Sequence, residues 1–187
     1  MALKRYEIDG YGQIELNQVA FRRDGRIEAQ CKLDTTNDFG KGKTLAYAEN
    51  GMLLAVDNIS RTIKLPQDDT YPIALNYTTE HMYDERANAL KDFKLEPGTF
   101  LPRLGYLSIG DKFTTNCICY DTSEFADETA VNTALNTLTT PIFGGISALG
   151  AIKVSATEPT DGPVLRVIKK TTMPDGTLGL KFQVYKA

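Results

Sequence analysis

The chain has 187 residues, enough for one large β domain or two small ones with a real core. Apolar residues make up 42% and charged residues 24%, the balance of a folded globular protein rather than a disordered one. A net charge of −3 argues against bulk nucleic-acid binding, which needs a concentrated positive field. No apolar run approaches the roughly 20 residues that span a bilayer, so neither nucleic acid nor membrane is expected as a partner. Met1-Ala2-Leu3-Lys4-Arg5 leads into polar sequence without the apolar core of a signal peptide, and synthesis in a cytoplasm is expected.

The first predicted element is a β-hairpin. Val19 and Phe21 lead into Arg22-Arg23-Asp24-Gly25-Arg26, and Ile27, Ala29, Cys31 and Leu33 follow at period two. A two-residue turn at Asp24-Gly25 would set Phe21 opposite Glu28, on the wrong face. A three-residue loop, Arg23-Asp24-Gly25, pairs Phe21 with Ile27 and Val19 with Ala29, and gives Gly25 the left-handed bulge position. Strand candidates follow at 52–56, 62–65, 73–77, 104–107, 112–120 and 151–156, most of them bounded by Gly, Pro, Asn or Asp. A short helix is expected around Asp84 to Leu90. Glu96-Pro97-Gly98 is the one candidate boundary, with two lobes meeting near 96–102 inside a single β-rich domain spanning 1–187.

From Ser123 to Leu138, the apolar residues Val131, Ala134, Leu135 and Leu138 recur at three and four, which predicts an amphipathic helix near 123–138. Asp127 or Ser123 caps its start, and Asp121, Glu124, Asp127 and Glu128 crowd the end where negative charge suits the helix dipole. The last element is a second hairpin around Pro174-Asp175-Gly176, with Leu178, Leu180, Phe182 and Val184 on one face. Pro174 fits the first central position of a type I turn and Gly176 the left-handed residue after it. The fold class expected is mainly β, a barrel or sandwich built of hairpins with this one helix.

Candidate chemistry is sparse. Cys117 and Cys119 share one face of a strand and read as small half-buried thiols; zinc needs two more ligands, and Cys31 and His81 lack partners at ligand spacing. His81 is the only histidine, so any Ser–His or Cys–His arrangement must use it, and no Gly-x-Ser-x-Gly elbow accompanies it. Gly144-Gly145-Ile146-Ser147-Ala148-Leu149-Gly150 lacks the Gly-Lys-Ser/Thr ending of a phosphate loop and reads as a flexible loop or docking arm, with Phe143, Ile146 and Leu149 as apolar contact residues. The acidic cluster at 121–128 lacks a calcium-loop spacing. Tyr71, Tyr77, Tyr83, Tyr106 and Tyr120 lie without a basic groove and suit a core or a protein interface. No catalytic, cofactor-binding or metal-binding residue is assigned.

The stretch Leu104-Gly105-Tyr106-Leu107-Ser108-Ile109-Gly110-Asp111-Lys112-Phe113-Thr114-Thr115-Asn116 has a glycine-aspartate-then-strand form. It resembles the small β-barrel auxiliary proteins that tailed bacteriophages place on their heads. Tyr11-Gly12-Gln13-Ile14-Glu15-Leu16, Lys153-Val154-Ser155-Ala156-Thr157, Gly162-Pro163-Val164-Leu165 and Met173-Pro174-Asp175-Gly176 are similar to phrases in phage virion proteins. The resemblance implies a non-enzymatic capsid decoration (cement) protein or head-fibre base, without cofactor. Such a protein binds the major capsid protein on the outside of the head as a homo-oligomer, with a trimer favoured. Leu3 to Tyr11 and Phe143 to Gly150 are then the expected contact elements. A tail or baseplate component, and a small-molecule-binding β-barrel, are the alternatives.

Overall fold

The computed structural model describes residues 3–6, 12, 14, 26–78, 93–98, 101–173 and 176–187. In chain order, the strands among them are β1 (Leu3–Tyr6), β2 (Ile27–Glu28), β3 (Lys32–Leu33), β4 (Leu53–Asp57), β5 (Thr62–Lys64), β6 (Ile73–Asn76), β7 (Leu104–Tyr106), β8 (Lys112–Thr115) and β9 (Ile118–Asp121). The helix α1 (Glu128–Thr137) follows, then β10 (Phe143–Gly145), β11 (Ile152–Ser155), β12 (Val164–Thr172) and β13 (Leu178–Lys186). They form a seven-stranded sheet, β1-β9-β11-β10-β12-β13-β8, and a six-stranded sheet, β2-β7-β6-β4-β5-β3. The fold is mainly β, as the alternation of the sequence predicts. Both sheets are mixed, because β9 runs parallel to β11 and β3 parallel to β5. The chain passes from the second sheet to the first between Tyr106 and Lys112, while β1 at the other end of the chain also belongs to the first. Among the described residues, no helix is long and apolar enough to cross a membrane.

Neither sheet can be flat. β8 and β9 are consecutive in the chain, separated only by Asn116 and Cys117, yet five strand-to-strand steps part them in the sheet. Five steps span roughly 24 Å in a flat sheet. Thr115 and Ile118 can be no more than about 11 Å apart along an extended chain. The sheet is therefore rolled, and the segment 112–121 supplies β8 at one edge and β9 next to the other, where β1 covers it. The second sheet repeats the device, with β2 and β3 at opposite ends and only residues 29–31 between them.

These two joins are where the sequence expectation needs correction. The strand expected at 112–120 is two strands: Ile118 N donates to the Asn116 carbonyl (2.9 Å) and Cys117 N to Thr115 Oγ1 (3.0 Å), which breaks the ladder. The run expected to alternate through Ile27, Ala29, Cys31 and Leu33 bends at Gln30, whose N–H bonds Glu28 Oε1 (2.6 Å). Cys31 and Leu33 are buried, but Ile27 and Ala29 lie exposed. The Arg23-Asp24-Gly25 turn, its first strand and the short helix at 84–90 lie outside the described residues.

The other elements match more closely. In the last hairpin Met173 N donates to Thr177 O (2.7 Å) and Gly176 N to Met173 O (2.9 Å), with Gly176 at φ +87°, as a three-residue loop requires. Pro174 and Asp175 lie outside the described residues. Leu180, Phe182 and Val184 point inward as expected. The helix starts at Glu128 rather than Ser123. Asp121 takes the preceding residues for a turn, its carbonyl accepting from Phe125 N (2.9 Å) and its side chain from Ser123 N (2.9 Å). Such local acceptors compete with a helix for the same amides. Asp127 is the N-cap, accepting from Ala130 N (2.8 Å).

Each roll has its own apolar cluster. Phe113, Ile118, Tyr120, Val131, Leu135, Ile152, Leu165 and Phe182 fill the first, and Leu33, Phe39, Leu54, Val56, Ile63, Ala74, Leu95 and Leu104 the second. The clusters interlock along a shared wall, where Leu53 and Leu75 of the second sheet enter the first core and Cys117, Cys119 and Ala151 enter the second. Gly51 sits in this wall at φ +88°, where an added Cβ would lie 2.1 Å from Thr115 Oγ1 and 2.9 Å from Cys117 Cβ. Gly51→Ala is expected to cost about 3 kcal/mol or more, by strain and overlap together. Gly176→Ala, at φ +87° with open space around it, is expected to cost only about 1 kcal/mol. Urea unfolding of the two variants checks this, and equal losses would mean that the wall yields.

Candidate functional site

Polar side chains are built into the wall between the rolls. Arg5 Nη2 pairs with Glu49 Oε2 at 3.0 Å, and Arg5 Nη1 reaches Cys117 Sγ at 3.6 Å. Glu49 Oε1 accepts from Gly12 N (3.1 Å), and its carbonyl from Asn76 Nδ2 (2.8 Å). Asn76 Oδ1 accepts from Thr78 Oγ1 (2.6 Å), which itself accepts from Arg103 N (2.9 Å). Burial works against the Arg5 charge, but Cys117 and Glu49 beside it outweigh that and hold the guanidinium above its ordinary range. Each acceptor in this set is spent on a neighbour, so the network ties β1 and the turn before β4 to the break at Cys117.

The three cysteines are buried free thiols. Burial pushes Cys117 up to about 12, against a lowering pull from Arg5, and pushes Cys119 and Cys31 up to about 11. A reactive cysteine needs a thiolate near neutral pH and an access path. These thiols are held protonated inside the fold, deeper than the half-buried position expected for Cys117 and Cys119.

The remaining sequence candidates separate. His81 and Tyr83 lie outside the described residues. The acidic cluster splits by role, Asp127 and Glu128 at the helix end, Asp121 on Ser123, and Glu124 accepting from Ser155 Oγ, Ala156 N and Thr157 N. Among the described residues, no group of three metal-ligating side chains comes together. Gly144 to Gly150 is not a flexible loop or docking arm. Phe143–Gly145 is an interior strand, and a Cβ on Gly144 would meet Ile152 Cγ2 at 2.8 Å, so these glycines allow close packing. The following turn is fixed by Ser147 Oγ donating to Ala151 O (2.6 Å) and by Leu53 N donating to Gly150 O (2.8 Å). Of the expected N-terminal contact element, Leu3–Tyr6 is β1, paired along β9. Tyr6 and Tyr120 are core, Tyr77 packs against it, and Tyr71 and Tyr106 line surface clefts.

Two surface features escaped the sequence. The first is the β4–β5 turn. Ile59 N and Ser60 N both donate to Asp57 Oδ1 (3.1 Å each), and Asp57 Oδ2 binds Lys64 Nζ at 2.9 Å. The bonds from Ser60 and Lys64 hold the Asp57 carboxyl well below the usual carboxylate range. Arg61 closes the turn at φ +55°. On this braced tip the Ile59 side chain is 99% exposed. The second is a cleft of about 350 Å³ beside it, lined by Asp34, Asp38, Asp68, Lys64, Leu65 and Tyr71. No short motif announces either, because each is assembled across a turn or between strands.

No protein-family model, curated protein or solved structure matches this chain.

The buried thiols predict an alkaline weakness. An unfolded chain releases thiol protons near the ordinary value of 9.0, while the fold keeps those of Cys119 and Cys117 until about 11 and about 12. Between these values the native state binds more protons than the unfolded one, so stability falls as pH rises from about 9 to about 12. Between pH 7.5 and pH 10, wild type is expected to lose about 1–3 kcal/mol more than the C117A/C119A variant in urea unfolding. Equal losses would show that these thiols ionise alike in both states.

Proposed function

We propose that this chain is a non-enzymatic bacteriophage virion protein, a capsid decoration or cement protein bound outside the head to the major capsid protein. The observation that carries the reading is the braced Ile59 turn. The Ile59 side chain stands bare to solvent, and hydrogen bonds and an ion pair hold the turn that presents it. Preorganised apolar anchors are what a contact protein needs, since little ordering entropy remains to be lost on binding. The use of the thiols and of Glu49 inside the fold agrees with a part whose work is contact. A modest interface repeated over a shell favours the assembled state by mass action, which is how a small cement protein stabilises a capsid.

Electron microscopy of purified virions tests this by locating the chain, and density on the head surface is the expected result. Density on the tail alone would overturn the head assignment, and density nowhere would overturn the virion reading. Ile59→Asp is expected to weaken attachment to heads stripped of this protein by at least tenfold, since a buried unpaired carboxylate is costly. Its unfolding free energy is expected to stay within about 0.5 kcal/mol of wild type, as for an exposed substitution. Unchanged attachment would remove Ile59 from the interface.

A further inference from the structure

Charge is segregated on this fold in a way the net value hides. The strands β8, β10, β12 and β13 carry Lys112, Arg166, Lys169, Lys170, Lys181 and Lys186 and no Asp or Glu. The whole chain has 21 cations and 24 anions, so the remainder carries 15 against 24. Of the six, Lys186 pairs with Glu158, and Lys170 bonds Asn132 and Asn136 on the helix. The other four alternate with the buried residues Phe113, Leu165, Val167, Leu180 and Phe182, and so face away from the core. Register brings them together. Arg166 lies opposite Gln183, which lies opposite Lys112, and Lys169 lies directly opposite Lys181.

A like-charged pair facing across adjacent strands repels. Among the described residues, none of these four cations has a carboxylate partner to relieve that repulsion. Both register shifts of the β12–β13 ribbon fall beside this face and leave Ile168 and Tyr185 as the extra residues, 40% and 48% exposed. Bulges re-aim side chains in this way. The face is thus basic with apolar margins, which suits a protein surface.

The complementary surface is on the same molecule. The cleft beside the Ile59 turn is lined by Asp34, Asp38 and Asp68, and its one cation, Lys64, is held by Asp57 and Tyr71. Asp34 and Asp38 are only 7% and 8% exposed, each with one oxygen bonded to a backbone N–H, of Thr36 and Leu65. The cleft belongs to the second sheet and the basic face to the first, so no ion pair joins them within one copy among the described residues.

We infer that the basic outer face of β8, β12 and β13 in one copy docks against the Asp34–Asp38–Asp68 cleft of a second copy of this chain. A nucleic acid fits less well, because a polyanion reaching beyond the face meets the acidic remainder of the molecule. The two patches differ, so the contact is head-to-tail and closes into a ring or extends into a filament. The inference does not depend on a virion role, and failure to bind a capsid leaves it standing.

Sedimentation and light scattering of the purified full chain test it. At 50 mM salt an oligomer is expected, and raising salt to 500 mM should weaken association at least about tenfold as the Debye length shrinks. Lys169→Glu with Lys181→Glu should give a folded monomer, and so should Asp68→Lys, an exposed change on the cleft rim. Mixing the two variants should restore association, since one retains its cleft and the other its basic face. A wild-type monomer at 50 mM salt, an oligomer indifferent to both reversals, or no recovery on mixing would each overturn the inference. Binding of a double-stranded DNA fragment by the wild-type monomer, abolished by K169E/K181E, would overturn it in favour of nucleic acid.

Discussion

Two broken strands hold this fold together. Residues 112–121 supply β8 at one edge of the first sheet and β9 beside the opposite edge strand, and residues 27–33 supply both edges of the second. Each break interrupts a ladder, and the amides it frees must find partners, because a buried unpaired N–H costs about as much as a lost hydrogen bond. Thr115 Oγ1 and the Asn116 carbonyl take those of the buried Cys117 and Ile118; at the second break, which is exposed, Glu28 Oε1 and the Arg61 carbonyl hold Gln30 N and Lys32 N. Once the breaks are satisfied, the sheets must roll and their interiors become cores. The shared wall follows, with Gly51 allowing the turn before β4 to approach the Cys117 break.

The Arg5–Glu49 pair belongs to this constraint. Taking one partner away would leave the other partly buried and uncompensated, which is more costly than removing both. The pair fixes β1, from the start of the chain, against β9 and the turn before β4, all far apart in sequence. Closure by such long-range contacts makes folding slow for the chain's size, because loop entropy is lost before the contacts that offset it form.

Much of this was legible in the residues. Alternation at Leu178–Val184 and the Gly176 position followed from period and turn chemistry, both local. So did the helix core at Val131 and Leu135. What was not legible was set at long range. Nothing in Ile27-Glu28-Ala29-Gln30-Cys31-Lys32-Leu33 says that its two ends pair with different strands; apolar alternation predicts a straight strand, and a bend at Gln30 uses the same residues otherwise. Gly144 and Gly145 look like a loop because glycine marks flexibility locally, but their missing side chains make room for Ile152, Phe182 and Pro159. The basic face was invisible because composition averages over it, and only the register of β8, β12 and β13 places its cations side by side.

The interior and the surface of this protein obey different rules. Inside, Glu49, Asn76 and Thr78 are bonded to neighbours, and local choices agree with the fold. Outside, an isoleucine stands bare on a braced turn, and a facing lysine pair is kept although it repels within the isolated molecule. Such conflicts gather where a protein meets something else. The two features are also physically linked, since Lys64 lines the acidic cleft and bonds the Asp57 that braces the Ile59 turn. A second copy in the cleft therefore lies against the turn proposed to grip the capsid. Salt separates the two contacts, because an apolar anchor is nearly indifferent to ionic strength and an ion-paired face is not. Attachment that survives high salt while self-association fails would place the grip in Ile59 and the lattice in the charges.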